Sequence, residues 1–320
     1  MKKIIIQKND AGKRLDLFLA EKFPELTRSK IQKIIKNKDI TVNDSVETPH
    51  QKIRENDVVV IKNFDIVQPE TKITKSTTDK KIFQKIKIIE HNEDFVIINK
   101  PAGLIVHGDE HIFEKTLVDY LLEKFPTIKN IGDDPTRPGI VHRLDKEASG
   151  LMVVALNQKA FEKLKKQFKN RSVKKIYSAL VFGKTSKDHD IINFPISRSQ
   201  KGFKMAANPK TINKEKNTSG KSAISEFEIE KRFINFTLLK VKIKTGRTHQ
   251  IRVHMSAYGH PLVGDNLYGT RITREKNLKL GIKRIFLVAQ ELEFKNLQDE
   301  TKNYKIKLPK ELLEILEIVK

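Results

Sequence analysis

The chain has 320 residues and carries 63 lysines and arginines against 40 acidic residues, which gives a formal net charge of +23. This excess favours a polyanionic partner, either nucleic acid or an anionic membrane face. The absence of cysteine excludes disulfides, thiolate zinc sites and cysteine nucleophiles. No apolar run approaches the length of a membrane span or of a signal-peptide core. We therefore expect a soluble, cytoplasmic protein with no membrane partner.

Residues 1–62 predict a small α/β domain with a basic surface. Apolar residues at helical spacing indicate a helix that ends at Pro24. A second helix is predicted over residues 28–38, and its outer face carries Arg28 and Lys33. Two short strands follow, at residues 40–42 and 58–61. The basic helix face suits contacts with RNA phosphates, although the same lysines can simply be the solvated side of an amphipathic helix.

Three short motifs in this domain resemble a known RNA-binding module. They are Gly12-Lys-Arg-Leu-Asp-Leu-Phe-Leu-Ala20, Thr27-Arg-Ser-Lys-Ile31 and Ile40-Thr-Val-Asn43. Together they are similar to the alpha-L RNA-binding domain first known from a small-subunit ribosomal protein. The resemblance implies RNA as the partner. The polar, poorly periodic residues 63–84 that follow are typical of a linker.

Residues 85–320 predict one larger domain in which strands outnumber helices. Strands are indicated at residues 86–90, 95–99, 139–141, 151–155, 175–181, 223–230, 233–244, 251–255 and 285–289. Helices are indicated at residues 117–125 and 160–170 and after Pro309. Because strands and helices do not alternate strictly, we expect an α+β fold with a mixed, mostly antiparallel sheet.

A compact charged turn stands between the two apolar runs at residues 139–141 and 151–155. It contains His142, Arg143, Asp145 and Lys146. Nearby cations favour the charged form of a carboxylic acid, so Asp145 suits a nucleophile or a base better than a general acid. An ordinary surface turn with a solvated salt bridge is the alternative, because aspartate is common in turns.

A second dense polar cluster is Thr245-Gly-Arg-Thr-His-Gln-Ile-Arg-Val-His254. Arg247 lies at its entrance and can hold a carboxylate through two hydrogen bonds. If a strand begins at Thr248, His249 and His254 point to opposite faces, which argues against a metal site. Tyr177, in the basic segment Lys174-Lys-Ile-Tyr-Ser178, is either a platform for base stacking or an ordinary core tyrosine.

Three separated segments resemble, in the correct order, the RluA/RluD family of RNA pseudouridine synthases. They are Ile98-Asn-Lys-Pro-Ala-Gly-Leu-Ile-Val-His107, Gly139-Ile-Val-His-Arg-Leu-Asp-Lys-Glu-Ala-Ser-Gly150 and the cluster from Thr245 to His254 with Gly259-His-Pro-Leu-Val-Gly-Asp265. Two features look most like the RluD branch. One is the N-terminal domain that resembles alpha-L, and the other is the segment Pro195-Ile-Ser-Arg198. Ala148 departs from the family pattern, which usually has threonine there.

The resemblance implies an isomerase that detaches uracil from C1′ of a uridine in RNA and rejoins it through C5. It implies Asp145 as the catalytic carboxylate, Arg247 as its partner and Tyr177 as the residue that stacks on the base. His142 and Arg143 are expected to contact the RNA backbone or to fill the gap left by the everted uridine. Arg28, Lys33 and Arg252 complete the predicted RNA contacts. No metal or other cofactor is expected, because the reaction is an isomerisation without redox change.

The RluD-like features further imply large-subunit ribosomal RNA, or its assembly precursor, as the partner, with no cofactor protein. Two rival functions remain open on sequence alone. One is a non-catalytic RNA-binding or ribosome-assembly protein, which has no need of an aimed carboxylate. The other is a nuclease or other phosphoryl-transfer enzyme that uses His249 and His254, which would require a divalent metal or produce RNA fragments.

Overall fold

The computed structural model describes residues 2–23, 26, 31–32, 34–35, 37–62, 81–108, 114–199, 202, 204–208, 211–212, 215–216 and 220–320. The chain divides into a small unit, Met1–Thr77 with Asp109–Phe113, and a large unit, Thr78–Gly108 with Glu114–Lys320. Residues 63–80 of the predicted linker lie outside the described part, so the limits 1–62, 63–84 and 85–320 stay predictions. Over the described ranges, no helix is long and apolar enough to cross a membrane.

The small unit is a three-stranded antiparallel sheet with a helix packed on it. Its elements are β1 (Lys2–Ile5), a 3-10 turn (Lys8–Asp10), α1 (Leu15–Lys22), β2 (Ile40–Val42) and β3 (Val58–Ile61). The strand order is β1-β3-β2. The helix predicted before Pro24 and both predicted strands are confirmed. Of the second predicted helix, residues 31, 32, 34 and 35 are helical, whereas Arg28 and Lys33 lie outside the described residues.

The large unit contains a nine-stranded sheet with helices packed against it. The helices are α2 (Leu117–Lys124), α3 (Gln158–Lys169), α4 (Gln250–Ala257), α5 (Arg271–Lys279) and α6 (Lys310–Ile318), with a 3-10 turn at Pro126–Asn130. The strands of the main sheet are β4 (Lys87–His91), β5 (Phe95–Lys100), β6 (Ser149–Ala155), β7 (Lys174–Phe182), β8 (His189–Ile192), β13 (Ser225–Arg232), β14 (Phe236–Ile243), β15 (Leu287–Lys295) and β16 (Thr301–Lys305). Two hairpins stand apart, β9 (Ile196–Arg198) with β10 (Met205–Ala207) and β11 (Thr211–Ile212) with β12 (Glu215–Lys216).

The main sheet has the order β4-β5-β6-β15-β7-β14-β13-β8, and β16 pairs with β15. The pairing of β15 with β6 is parallel, and the other pairs in this sheet are antiparallel. This topology confirms the α+β prediction. Every residue of β6 is buried, because the strand lies in the middle of the sheet with both faces covered. The loop that precedes β6 is therefore attached to the most rigid part of the unit.

Two predicted strands are wrong. Residues 139–141 form only an isolated bridge between Ile140 and Val154. Residues 251–255 belong to helix α4, whose apolar alternation resembles that of a strand. Six consecutive residues of this helix, from Gln250 to Met255, are buried. A helix that is enclosed on all sides does not need one apolar stripe, so its period is absent from the sequence.

Candidate active site

Asp145 lies in the loop formed by residues 141–148, which we call the catalytic loop, immediately before β6. The end of this loop is fixed by a close approach of two strands at Gly150. A Cβ at that position would lie 2.3 Å from the carbonyl oxygen of Ala289 on β15, and Gly150 has a φ of +124°. Only glycine combines this backbone conformation with this contact. The parallel register of β6 and β15 therefore determines where the catalytic loop ends.

Lys100, at the end of β5, holds the middle of the catalytic loop from behind. Its side chain is fully buried. The ammonium donates hydrogen bonds to the carbonyl oxygens of Pro101 at 2.9 Å, Leu104 at 2.8 Å and Lys146 at 3.3 Å. The Lys146 carbonyl also accepts a 2.7 Å bond from the amide of Gly103. Burial lowers the pKa of Lys100 to about 7, while the nearby charge of Asp145 opposes that shift. The segment around Lys100 thus fixes the residue that follows Asp145.

A cavity of about 310 Å³ opens in front of Asp145. It lies between the catalytic loop, β7 and the segment that leads into α4. Its lining includes Asp145, Tyr177, His142, Arg143 and Arg247. The structure therefore brings together the three residues predicted to be catalytic and two of those predicted to bind RNA. This volume is at the lower end of the range for small-molecule sites, which suits one nucleotide unit.

The cation that faces Asp145 is Arg252, and the predicted pair of Asp145 with Arg247 is wrong. Nη1 of Arg252 lies 3.7 Å from Oδ2 of Asp145. Arg247 instead donates a 3.0 Å hydrogen bond from Nε to the carbonyl oxygen of Ser222. The physical reason is the helical conformation of residues 250–257. A helix turns Arg252 inward toward the catalytic loop, whereas Arg247 stays on the preceding turn.

Arg252 was predicted to contact RNA, but it is buried and serves as an anchor for three carboxylates. Its guanidinium donates to Asp265 through Nε at 2.7 Å and Nη2 at 3.0 Å, and to Glu147 through Nη1 at 3.0 Å. Burial alone would lower the pKa of Arg252, but the carboxylates of Asp265 and Asp145 outweigh burial and raise it. Only 4% of this side chain is exposed, so its surface is committed to the protein. Arg252 therefore aims Asp145 from inside the fold.

Gln250 fixes the turn that leads into α4. Its amide oxygen accepts bonds from the Thr245 hydroxyl at 2.6 Å and the Arg247 amide at 3.1 Å. Its amide nitrogen donates to the Ile224 carbonyl and to the Ser225 hydroxyl, both at 3.0 Å. All four polar contacts of this side chain are thereby satisfied in a buried position. The turn that carries Arg247 is consequently held rigidly against the cavity.

The two histidines of this segment are engaged by the protein. His249 contacts the Tyr268 hydroxyl through Nδ1 at 2.8 Å. His254 contacts the Ser225 hydroxyl through Nδ1 and the Phe194 carbonyl through Nε2, both at 2.9 Å. The two histidines do not lie on opposite faces of a strand as expected, since His254 is helical and His249 occupies the position just before the first helical residue. Within the described ranges, no cluster of three potential metal-binding side chains occurs.

Tyr177 lies on β7, between β14 and β15, and its ring reaches the cavity that Asp145 lines. The residue is almost fully buried. Burial raises the pKa of its hydroxyl, and the charge of Asp145 raises it further. The phenol therefore stays neutral at physiological pH. A neutral aromatic ring beside the carboxylate suits contact with a base, which is the role predicted for Tyr177.

His142 and Arg143 have different environments although they are adjacent. The His142 ring stacks on Phe168 with the centroids 4.6 Å apart, and its Nε2 accepts a bond from the Val153 amide at 3.1 Å. Burial, with a smaller effect of Lys175, lowers the pKa of His142 to about 3. A neutral, packed ring cannot offer a positive charge to the RNA backbone, so of the two roles predicted for His142 the filling of the gap left by the everted uridine fits this environment better, and both stay predictions. Arg143 lines the cavity and is accessible, because its side chain is exposed. Its Nη1 lies 3.2 Å from Nε2 of His107.

Lys175 is a cavity residue that the sequence analysis missed. It stands two residues before Tyr177 on β7, and its ammonium lies 5.5 Å from the centroid of the Phe168 ring. Within the described part of the chain, the ammonium has no hydrogen bond or ion pair. Burial lowers its pKa to about 8. The sequence did contain an indication of this position. Side chains alternate between the two faces of a strand, so Lys175 lies on the same face as Tyr177.

In the small unit, the side chain of Arg14 is held in place by a buried carboxylate. Asp16 is fully buried and accepts bonds from Arg14 through Nε at 3.1 Å and Nη2 at 3.0 Å. Gln32 donates to the same carboxylate at 2.6 Å. A guanidinium fixed in this way keeps part of its surface for other ligands, because about a third of the Arg14 side chain is exposed.

Comparison with known proteins gives a consistent result. The family described as RNA pseudouridylate synthase matches residues 94–257, and the S4 domain matches residues 13–59. The chain is 41% identical over 259 residues to an uncharacterized RNA pseudouridine synthase of Aquifex aeolicus, which covers 80% of this chain and 77% of the relative. It is 38% identical over 261 residues to the ribosomal large subunit pseudouridine synthase D of Pseudomonas aeruginosa, with 81% and 75% covered.

Solved structures show the same fold. The human RNA pseudouridylate synthase domain containing 1 superposes with a TM-score of 0.56 at 27% identity, covering 71% of this chain and 85% of that one. The human RNA pseudouridylate synthase domain containing 4 superposes with a TM-score of 0.60 at 24% identity, covering 76% and 95%. The predicted fold of the large unit is thereby confirmed.

Proposed function

The chain belongs to the RNA pseudouridine synthase family, and from this premise we propose that it modifies uridines of large-subunit ribosomal RNA with Asp145 as the catalytic carboxylate. The enzyme is an isomerase that acts on RNA. Relatives named as ribosomal large subunit pseudouridine synthase D support the ribosomal substrate. The observation that carries the proposal for Asp145 is its position in the cavity, with Tyr177 beside it and Arg252 behind it.

The reaction breaks the bond from C1′ to N1 and forms a bond from C1′ to C5. N1 gains a proton, and the hydrogen on C5 leaves as a proton, so the balance needs no oxidant or reductant. A uridine must leave the RNA stack to reach the cavity, which costs a few kcal/mol and less in a loop than in a duplex. Asp145 then faces the sugar, where a carboxylate can attack C1′ or accept a proton. Tyr177 packs against the uracil while it is detached and turned.

Cations around the cavity bind the RNA chain in this proposal. Arg143 is exposed at the cavity. Arg247 donates from Nε to the Ser222 carbonyl, and its outer nitrogens have no hydrogen bond within the described part of the chain, which leaves them for a phosphate. Lys175 provides a third positive charge deeper in the cavity. Charge-assisted hydrogen bonds to phosphate oxygens would fix the nucleotide relative to Asp145. The small unit, which matches the S4 domain, adds RNA contacts outside the cavity.

Substitution of the carboxylate tests the catalytic assignment. We expect Asp145→Asn to bind RNA as the parent does but to release no tritium from ribosomal RNA labelled at uridine C5. Glu123→Gln is the control, because Glu123 is an exposed carboxylate on α2 that neither lines the cavity nor contacts Arg252. Release of tritium by Asp145→Asn at the parent rate would exclude Asp145 as the catalytic group.

The substrate assignment needs a separate experiment. Pseudouridines are mapped in total RNA from cells with and without the gene. We expect modified uridines of large-subunit ribosomal RNA to disappear and the pattern in other RNAs to stay unchanged. Loss confined to transfer RNA or to small-subunit RNA would overturn the proposed substrate while leaving the isomerase in place.

A further inference from the structure

A second, larger depression lies behind the catalytic loop of the large unit. Its volume is about 1560 Å³, compared with about 310 Å³ for the cavity in front of Asp145. We call it the basic groove. Its lining includes five exposed lysines, by which we define it: Lys85, Lys87, Lys283, Lys307 and Lys310. They come from three separate segments, which lie at or just before the first residues of β4, β15 and α6. The fold therefore gathers charges that are far apart in the sequence.

The charge of this groove is not neutralised by the protein. All five lysines are exposed, and within the described part of the chain none of their side-chain ammonium groups has a hydrogen bond or ion pair. The groove also contains Glu147 and Glu311, but each of these carboxylates pairs with an arginine. Like charges brought together in a concave surface repel one another and raise the local potential. Such an arrangement favours a bound polyanion, whose phosphates release their counterions when lysines replace them.

The groove and the cavity share one thin wall. Asp145 lines the cavity, whereas the next two residues of the catalytic loop line the groove. The same alternation occurs in α4, where Ile251 faces the cavity and Arg252 the groove. The contact of Arg252 with Asp145 crosses this wall. A ligand in the groove thus lies immediately behind the loop that carries the catalytic carboxylate.

We propose that the basic groove binds the phosphodiester backbone of the RNA that flanks the target nucleotide. The inference rests on the proposed function, because an RNA with one uridine in the cavity has backbone on both sides of that uridine. The lysines contact phosphates and not base edges, so the groove provides affinity and orientation without selecting a sequence. Choice of the uridine then depends on the cavity and on the shape of the RNA.

The test compares two triple variants that remove the same charge. Lys85, Lys283 and Lys307 are changed to glutamine in the first, and Lys124, Lys159 and Lys169 in the second. The control lysines are exposed, lie on α2 and α3, and line neither the groove nor the cavity. Both triples are made in the Asp145→Asn protein so that no turnover occurs. Thermal melts of both variants check that the substitutions leave the fold intact.

Binding is measured between 50 and 300 mM KCl with large-subunit ribosomal RNA transcribed in vitro. Each lost phosphate contact lowers the slope of log K against log salt by about 0.7 to 0.9, so the groove triple should lose about 2 to 3 from the slope. The control triple should keep the parent slope. Equal slopes for the two triples would overturn the inference and leave the groove to a ligand other than RNA.

A short RNA separates this inference from the proposed function. An oligonucleotide of about five residues with one central uridine is too short to occupy both sites, so the groove triple should bind it as the control does. A groove effect confined to the long RNA supports the inference even if the protein with Asp145 intact forms no pseudouridine, and in that case only the catalytic proposal fails. An equal loss of affinity for both RNAs would count against a separate flanking site.

Discussion

Replacing Arg252 is the sharpest test of how the active site is assembled. The guanidinium joins buried Asp265 through two hydrogen bonds, Glu147 through one and Asp145 at 3.7 Å. Arg252→Met leaves the Asp265 carboxylate buried without its cation, which costs about 3 to 5 kcal/mol. The backbone amides of residues 267 and 268 still donate to Asp265, so we expect the lower end of that range.

Arg252→Lys separates charge from geometry. It keeps one positive charge but cannot form the two parallel bonds to Asp265, and loss of one charged hydrogen bond costs about 1.5 to 3 kcal/mol. In a unit of this size, 1 kcal/mol shifts Tm by roughly 2 to 4 °C. We therefore expect Tm to fall by about 3 to 12 °C for Arg252→Lys and by about 6 to 12 °C for Arg252→Met.

Kinetics then distinguish an internal anchor from an RNA contact. Loss of a preorganised charge beside the reacting group lowers kcat by about 10²-fold or more. The KM for RNA should change little, because Arg252 is buried. Arg247→Lys is the matched control, and it should raise KM with a small change in Tm, since Arg247 lines the cavity and bonds to one backbone carbonyl. A variant at Arg252 with parent Tm and kcat but raised KM would refute this reasoning.

Three further predictions concern the support of the cavity and its charge. Burial lowers the pKa of Lys175 to about 8, so its positive charge is present below that pH and is lost above it. If Lys175 contacts the substrate, kcat/KM should fall as pH rises through about 8, and Lys175→Arg should move this decline to higher pH. A pH profile that is the same in Lys175→Arg and in the parent would contradict a substrate contact. Lys100→Met removes the donors to three carbonyl oxygens and should destabilise the protein by about 2 to 3 kcal/mol, measured by urea unfolding, with Lys87→Met as the exposed control. Gly150→Ala places a Cβ 2.3 Å from the Ala289 carbonyl and should cost at least about 2 kcal/mol, and a parent-like Tm would show that β6 and β15 can separate.

Much of the fold and of the site could be predicted from local patterns. The helix that Thr116 caps begins as predicted, because its capping box is a local interaction between residues three apart. The turn at Asn43 and Asp44 is recognisable for the same reason, since both residues adopt positive φ readily. The catalytic loop was identified from its dense charges between apolar runs, and the cavity indeed contains Asp145, Tyr177 and Arg247.

Ala148 is the position where the sequence departs from the family pattern, and the structure gives it a definite place. The residue is buried and lines the cavity as the last residue of the catalytic loop. Its amide donates a 3.2 Å bond to the carbonyl oxygen of Asp145, a contact that does not depend on the side chain. The turn geometry is therefore kept without a hydroxyl, and the missing atoms add space to the cavity.

The sequence by itself determined the mixed sheet, most of the predicted strands and helices and the segment that carries Asp145, because these follow from local periodicity, turn chemistry and long motifs. Only the tertiary structure decided that Arg252 faces Asp145, that His142 is a neutral packed ring and that Lys175 enters the cavity. These contacts join residues far apart in the chain, from Asp145 to Arg252 and from His142 to Phe168. The contact of Arg252 with Asp145 could not be predicted because helix α4 is buried on every side, and such burial removes the periodicity by which a helix is recognised in a sequence.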